Sequence, residues 1–241
     1  MYLNVNASSL QLLKTVVHLA GQCVLAFTVL TVMQVKIFSH INPPTTAFIQ
    51  KERIERFFAG DRSRVRYHWR SYQEISEYLP ISMVAAEDQR FPTHLGFDLA
   101  AIKAAFKHNE QSKSVRGGST ISQQVAKNLF LWPERGWIRK GLEAWYTLWI
   151  ELLWSKQRIL EVYVNTAQFG DGIYGAEAAA QYFFGKPAKK LTAWECAKLA
   201  AVLPSPTRYN AKLPGDYVLA RAMWIEKQVA RLDGANYLKK K

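Results

Sequence analysis

A run of 21 residues without any Asp, Glu, Lys or Arg lies between Lys14 and Lys36. A helix rises about 1.5 Å per residue, so this run spans roughly 30 Å, the thickness of the hydrocarbon core of a bilayer. A cleaved signal peptide has a shorter apolar region and an Ala-x-Ala-like cleavage site, and no Ala-x-Ala follows the run. The run therefore predicts one transmembrane helix over about residues 15–35. It divides the chain into an anchor, 1–36, and one large domain, 37–241.

The charged residues around the run leave its orientation open. Lys14 is the only charged side chain on the amino side, whereas Lys36, Lys51, Arg53 and Arg56 follow the run. Counting these cations would place the carboxyl side in the cytoplasm. A long domain, however, crosses the membrane largely regardless of charge, so this count does not decide the topology.

The overall charge points to an anionic partner. The chain has 32 Lys and Arg against 19 Asp and Glu, a formal net charge of +13. With 49% hydrophobic residues it is not a disordered polyelectrolyte. Cys23 and Cys196 are too few for a disulfide scaffold or a four-cysteine zinc site. Nucleic acid, phosphate or pyrophosphate groups and an acidic membrane surface all remain open as partners.

Local sequence signals predict a mainly helical domain. Asp98 is placed as an N-cap, and Thr120 with Gln123 and Thr192 with Glu195 have the spacing of capping boxes. Alternating strand patterns are scarce. The predicted helices cover residues 99–107, 120–130, 138–154 and 159–165 and the segment that begins at 192 and stops before Pro204, with 64–69 as the best strand candidate.

A carboxylate, Glu87, follows the apolar run 81–85. Partial desolvation raises the pKa of a carboxyl group, which makes it usable as a general base near neutral pH. The alternative is an acid at a helix end that pairs with Arg90. We expect His94 nearby to be structural.

The segment Gly117–Asn128 combines two glycines with an unusual density of uncharged polar residues. On a helix Thr120, Gln124 and Lys127 share one face. Glycines before a helix N-terminus expose backbone N–H groups, which suits a phosphate or pyrophosphate ligand. The alternative is an ordinary capped amphipathic helix.

A cluster of cations surrounds Glu143. Arg135, Arg139 and Lys140 precede it, and Arg139 and Glu143 lie on the same side of a helix at the i,i+4 spacing. The cluster could receive an anionic leaving group, with an acid among the cations. The alternative is a surface salt bridge of well under about 1 kcal/mol. We expect Glu151 to pair with a neighbouring cation.

The segment Gly170–Gly175 matches the pattern G-x-G-x-x-G of dinucleotide-binding folds. That pattern requires a preceding strand and repeated βαβ units, and the residues before Gly170 are predicted to be helical. We therefore interpret the match as a glycine turn between helices.

In their order and spacing these clusters resemble the glycosyltransferase domain of bacterial peptidoglycan polymerases, glycosyltransferase family 51. The resemblance extends from about Ala85 to Asn210. The chain has no Ser-x-x-Lys motif of a penicillin-binding transpeptidase, so it resembles the short, membrane-anchored, monofunctional members of the family. The matching motifs are Glu87-Asp88-x-x-Phe91-x-x-His94-x-Gly96-x-Asp98, Gly117-Gly118-Ser119-Thr120-Ile121-Ser122-Gln123-Gln124-x-x-Lys127-Asn128, Arg139-Lys140-x-x-Glu143, Lys156-x-x-Ile159-Leu160-Glu161-x-Tyr163-x-Asn165, Phe169-Gly170, Gly172-Ile173-Tyr174-Gly175 and Glu195-x-Ala197-x-Leu199-Ala200.

The resemblance implies a mainly α, two-lobed, lysozyme-like glycosyltransferase domain behind one transmembrane helix. It implies polymerisation of lipid II into β-1,4-linked glycan by inverting transfer of the growing chain from its polyprenyl pyrophosphate to the GlcNAc 4-hydroxyl of lipid II, without transpeptidase activity. Glu87 then matches the general base. Glu143 matches the second catalytic glutamate, which would assist departure of the pyrophosphate either directly or by holding the cations, and Asp88 would orient the site. The implied substrate and pyrophosphate contacts are Lys127, Arg135 and Arg139 and, as weaker candidates, Ser119, Thr120, Gln123, Gln124, Lys140 and Asn165.

The resemblance also implies where the protein works and with what. The expected location is the outer, periplasmic face of the bacterial inner membrane, with lipid II, the growing glycan and the membrane as partners and no nucleic acid. Cell-wall synthesis or division proteins are further candidate partners. No cofactor or resident metal is assigned, and a requirement for a divalent cation, Mg²⁺ or Mn²⁺, stays open. The polar segment 109–116 corresponds to a mobile segment of the family.

Two rival functions remain at this point. A lysozyme-like peptidoglycan hydrolase would also use paired carboxylates on a helical domain, but it has no need of the cation cluster. A membrane-tethered nucleic-acid-binding protein would account for the charge of +13, since phosphate contacts dominate that kind of affinity.

Overall fold

The computed structural model describes residues 7–111 and 117–239 and divides the chain into two compact units, Met1–Ile41 and Asn42–Lys241. The first unit holds helix α1, Ala7–Phe38. Its part Leu10–Phe38 has a mean hydropathy of 1.9 and is the one helix of the described residues that is long and apolar enough to cross a membrane. The predicted span lies inside this helix. Residues 112–116 lie outside the described ranges, so the mobility expected there stays a prediction.

The second unit is mainly helical, as predicted, and has one small sheet. Its described residues also form 3₁₀ turns at Tyr72–Glu74, Ala188–Lys190 and Gly234–Lys239. The helices are α2 (Ala47–Phe58), α3 (Tyr78–Glu87), α4 (Leu99–Gln111), α5 (Ile121–Phe130), α6 (Trp137–Leu153), α7 (Lys156–Thr166), α8 (Ala176–Phe184), α9 (Ala193–Val202) and α10 (Asp216–Arg231), and the strands are β1 (Arg66–Tyr67), β2 (Gln168–Gly170) and β3 (Ile173–Tyr174).

The predicted caps are confirmed. Asp98 Oδ1 accepts the N–H groups of Ala100 and Ala101, both at 3.0 Å, at the start of α4. Thr120 and Gln123 form a reciprocal capping box at the start of α5, and the box opened by Thr192 begins α9 in the same way. These local bonds satisfy N–H groups that the helix itself leaves without partners.

The sheet has the strand order β1-β3-β2, with β1 parallel and β2 antiparallel to β3. The strand predicted over 64–69 is present, shortened to β1. The glycine segment forms a turn between α7 and α8, as expected, and its backbone in addition pairs as the β2–β3 hairpin. Gly175 has φ +83°, and a Cβ at this position would lie 2.4 Å from the carbonyl oxygen of Asn165, so only glycine fits here.

Helix α3 lies in the core, with seven consecutive buried residues from Leu79 to Ala85. It packs against α9 and α10, while α5 packs against α6 and α7, and α3 also contacts α7. Burying a leucine, isoleucine or methionine side chain contributes about 1.5–3 kcal/mol each, so this arrangement fixes the position of α3. The polar carboxyl end of α3 is thereby held beside the polar face of α5.

Candidate active site

Glu87 is the last residue of α3, and its carboxylate is held by two other helices. Oε2 accepts a hydrogen bond of 3.1 Å from Nε2 of Gln124 on α5. Oε1 lies 3.3 Å from Nη2 of Arg221 on α10. Burial raises the pKa of Glu87, against the opposing effects of the Gln124 hydrogen bond and the Arg221 charge, and Asp88 adds to the rise. The carboxyl group is therefore suited to accept a proton at higher pH than an ordinary glutamate.

The alternative in which Glu87 pairs with Arg90 is wrong. Nη1 of Arg90 instead lies 3.1 Å from Oδ1 of Asp98, the N-cap of α4. Glu87 finds its cation on α10, 134 residues further along the chain. Glu87 and Arg90 thus have separate partners, because the capping bonds of Asp98 hold its carboxylate beside Arg90.

Asp88 is a structural partner of the site rather than a solvent-facing acid. Its side chain is buried and accepts the N–H of Ile121 at 3.0 Å and a hydrogen bond from Nε2 of His94 at 2.9 Å. Nδ1 of His94 accepts the N–H of Gly96 at 3.1 Å, so the hydrogen bonds assign the proton of this ring to Nε2. Thr120 closes the same loop by donating its hydroxyl to the carbonyl of Gly96 at 2.6 Å. These bonds confirm the structural role expected for His94, and they join the end of α3 to the start of α5.

Gln124 is held on its other side by Tyr163 of α7. The Tyr163 hydroxyl donates a 3.0 Å hydrogen bond to Oε1 of Gln124. Gln124 is 37 residues from Glu87 in the chain and 39 from Tyr163. Three side chains from three helices thus form one chain of hydrogen bonds that ends on the Glu87 carboxylate.

Glu143 is almost completely buried, with 3% of its side chain exposed, and it bridges two cations of α6. Oε2 lies 2.6 Å from Nη1 of Arg139, and Oε1 accepts a hydrogen bond from Lys140. Lys140 Nζ also donates to the hydroxyl of Ser119 at 3.1 Å. The interpretation of Arg139 and Glu143 as an exposed surface pair is wrong, because both side chains are buried.

Lys127 on α5 connects the two carboxylates electrostatically. Burial lowers its pKa, as do the nearby charges of Arg139 and Lys140, whereas Glu143 and Glu87 raise it. In the part of the chain that the structure describes, its ammonium group makes no hydrogen bond or ion pair. A further donor, Nε of Arg139, is buried and has no hydrogen-bond partner among the described residues. This side of the site therefore offers cationic donors that an anionic group could engage.

Four of the expected contact residues stand apart from this arrangement. Thr120 and Gln123 are buried and bond each other in the capping box, and the Thr120 hydroxyl also donates to the carbonyl of Gly96. Asn165 is fully buried, and its amide bonds the backbone of Arg70 and of Glu161. Arg135 is exposed, and within the described residues it makes no hydrogen bond or ion pair.

Glu151 pairs with a neighbouring cation, as expected. Its carboxylate lies 2.8 Å from Nζ of Lys156 and also accepts a hydrogen bond from Ser122. Lys156 donates in addition to the carbonyl of His94 at 2.7 Å, so this pair supports the loop that carries Asp88.

Sequence reasoning gave no role to Arg221 and Tyr163. Tyr163 stands in a matched motif, but nothing in its helical spacing indicates that its hydroxyl bonds Gln124. Arg221 lies on an amphipathic helix with other cations, and no local pattern separates it from them. In the described ranges, no group of three or more His, Cys, Asp and Glu side chains could hold a metal ion.

Comparisons with known proteins identify similar sequences over most of the chain. The sequence model of a family described as Transglycosylase matches residues 50–230. The chain is 56% identical over 215 residues to the biosynthetic peptidoglycan transglycosylase of Xanthomonas campestris pv. campestris (strain B100), which covers 89% of this chain and 87% of that protein. It is 54% identical, over 89% of this chain and 88% of the relative, to the protein of the same name from Xanthomonas oryzae pv. oryzae. For the one from Pseudomonas putida (strain KT2440) the identity is 46%, over 94% and 96%.

Proposed function

The chain belongs to the transglycosylase family and is a peptidoglycan glycosyltransferase, and we propose that it polymerises lipid II with Glu87 as its general base. The observation that carries this proposal is the Glu87 carboxylate, which is desolvated and held by Gln124 and Arg221. The matched family model and the names of the relatives favour glycan polymerisation over both a lysozyme-like hydrolase and a nucleic-acid-binding protein.

The proposed reaction is an inverting displacement at C1 of the terminal MurNAc of the growing chain. The 4-hydroxyl of the GlcNAc of lipid II loses its proton to Glu87 while its oxygen forms the new bond to C1. The bond from C1 to the pyrophosphate oxygen breaks, and the polyprenyl pyrophosphate leaves with the electron pair. A sugar hydroxyl is a very weak acid, so a positioned base contributes roughly 100- to 10,000-fold to the rate.

The cation cluster is proposed to receive the leaving pyrophosphate. Arg139, Lys140 and Lys127 would neutralise the charge that develops there, which is the electrostatic role that usually gives the largest part of catalysis. Glu143 would hold Arg139 and Lys140 in place before the substrate arrives. Arg135, which is exposed, is proposed as an outer contact of the same anion.

Ser119 and Gln124 remain proposed substrate neighbours through their contacts with Lys140 and Glu87. The polar groups of Thr120, Gln123 and Asn165 instead form hydrogen bonds with other residues of the domain. Their substrate contacts therefore stay predictions that no hydrogen bond of the structure supports.

The location and the partners follow from the substrate. Lipid II stays in the bilayer, so a basic domain tethered by α1 meets it in two dimensions. We propose a single-pass protein of the inner membrane with the domain on the outer face, where cell-wall synthesis or division proteins would meet it. A divalent cation, Mg²⁺ or Mn²⁺, would be held mainly by the substrate phosphates, since such ions commonly bind through one or two carboxylates together with phosphate oxygens.

The proposal is tested by polymerisation of labelled lipid II with the full-length protein in detergent, beside Glu87→Gln and the exposed control Glu55→Gln. Polymer that lysozyme digests, from the parent and the control but not from folded Glu87→Gln, is the expected result. Polymer from all three would remove Glu87 as the base. Cleavage of purified cell wall without consumption of lipid II would establish the hydrolase instead. Salt-sensitive DNA binding in the absence of polymer, unaffected by Glu87→Gln, would establish the nucleic-acid-binding protein.

A further inference from the structure

Tyr163 lies behind the candidate active site, with 1% of its surface exposed. Its hydroxyl donates to Oε1 of Gln124 at 3.0 Å, and Nε2 of Gln124 donates to Oε2 of Glu87 at 3.1 Å. Both hydrogen bonds, from Tyr163 to Gln124 and from Gln124 to Glu87, are donated in the direction of the Glu87 carboxylate. The ring is enclosed in the core of the domain, so this hydroxyl acts on the site only through the Gln124 amide.

The donor direction of these two hydrogen bonds depends on which way the side-chain amide of Gln124 is turned. The oxygen and the NH₂ group of an amide have almost the same shape, so sterics alone do not choose between its two orientations. An ionised carboxylate only accepts hydrogen bonds, which requires Nε2 on the side of Glu87. A hydroxyl on the opposite side supplies the donor that Oε1 then needs. A phenylalanine there would remove this donor from Oε1.

We propose that Tyr163 is a positioning residue that holds the Gln124 amide with its N–H group directed at Glu87. The inference rests on the proposed role of Glu87 as general base. Burial raises the pKa of Tyr163 well above its ordinary value, so the hydroxyl keeps its proton and stays a donor. Oε2 of Glu87 thereby accepts from Gln124, while Oε1 accepts from Arg221 at 3.3 Å and keeps a second lone pair for the reacting hydroxyl.

The proposal predicts a shift in the pH dependence of catalysis. The charged groups that act on Glu87 are Arg221 from α10, Lys127 from α5 and Asp88, the next residue in the chain. Tyr163 from α7 is titratable but stays protonated, and its hydroxyl bonds Gln124. The hydrogen bond from Gln124 lowers the pKa of Glu87, so losing it raises that pKa. A general base works in its ionised form, and the acid limb of the kcat profile therefore moves to higher pH.

The experiment compares Tyr163→Phe, Gln124→Met and the double variant in lipid II polymerisation across pH, with full-length protein in detergent. One neutral hydrogen bond corresponds to a roughly three- to tenfold lower kcat for Tyr163→Phe, with KM changed less than about twofold. The double variant is expected within about twofold of Gln124→Met, because the hydroxyl acts only through the amide. Tyr67→Phe is the matched control: its half-buried hydroxyl donates to the carbonyl of Pro43 at 2.7 Å, away from Glu87, so kcat and its pH profile stay as in the parent.

Multiplicative effects of the two substitutions, or an unmoved acid limb in Tyr163→Phe, would overturn the proposal. If Tyr163→Phe does not fold, Gln124→Met decides alone, since an unmoved acid limb in that variant removes the path to Glu87. The ¹⁵N resonance of the Gln124 amide gives a readout that is independent of activity. A resonance that shifts in Tyr163→Phe while Glu87→Gln still polymerises lipid II would mean that the base assignment failed but the contact exists. An unshifted resonance overturns the positioning role itself.

Discussion

Replacing Glu143 by glutamine is predicted to destabilise the domain strongly. The side chains of Glu143 and Arg139 are 3% and 10% exposed, so the substitution leaves a buried guanidinium without its counter-charge. Removing one partner of a buried ion pair costs about 3–5 kcal/mol. The unit Asn42–Lys241 spans 200 residues, and an unfolding entropy of about 2.1 cal/mol/K per residue then converts this loss into a fall in Tm of about 7–12 °C.

The assay is thermal unfolding of the full-length protein in detergent, followed by the near-ultraviolet circular dichroism of its tryptophans. Glu55→Gln is the matched control, because Lys51 and Glu55 have the same i,i+4 spacing with side chains 33% and 60% exposed. Solvent screens that pair, so its loss should scarcely move Tm. Millimolar inorganic pyrophosphate is expected to restore more of the Tm of Glu143→Gln than it adds to the parent, since the freed cations bind it.

A fall of less than about 3 °C, or equal falls in the two variants, would refute the reasoning that burial makes this ion pair strong. If the Tm of Glu143→Gln falls as predicted but pyrophosphate restores none of it, the strength of the buried ion pair is supported and the binding of pyrophosphate to this cluster is contradicted.

Three further predictions concern single positions. Gly175→Ala should cost at least about 3 kcal/mol in chemical denaturation, because its Cβ would meet the Asn165 carbonyl at 2.4 Å, whereas Gly185→Ala, with a similar φ of +66° and open space, should cost about 1 kcal/mol; equal losses would contradict this. Thr120→Ala should lower the free energy of unfolding by about 2 kcal/mol and leave the KM for lipid II unchanged, since its hydroxyl serves the helix cap and also donates to the buried Gly96 carbonyl; a raised KM at unchanged stability would instead identify a substrate contact. Because burial raises the pKa of Glu87, kcat should fall as the pH drops through a midpoint above that of an ordinary glutamate, and the acid limb of a pH–rate profile measures this.

The parts of the fold that sequence reasoning predicted are those that depend on neighbouring residues. Helix starts at Asp98, Thr120 and Thr192 were predictable because a cap bonds N–H groups two or three residues further on. Strands β2 and β3 were missed because segments of three and two residues are too short to show alternation. Their pairing depends on the hairpin and on β1, which lies about 100 residues away in the chain.

The candidate site divides along the same line. Glu87, Glu143 and the cations of α6 were noted from residue type and local spacing, but their proposed roles came from the family resemblance. The partner of Glu87 on α10 and the hydroxyl behind Gln124 come from helices that are distant in sequence. Whether Arg90 or Arg221 reaches the carboxylate is decided by helix packing, which no spacing within α3 encodes.

The bonds that join Asp88 to Ile121 and Gly96 to Thr120 have a consequence for how the chain can vary in length. These two hydrogen bonds hold together the two ends of a segment of more than 20 residues, and α4 lies within this segment. The distance between Glu87 and Gln124 is set by these two hydrogen bonds and by the packing of α3, α5 and α7. Insertions or deletions within this segment can therefore change this part of the surface while Glu87, the proton acceptor, and Gln124, its hydrogen-bond donor, keep their spacing.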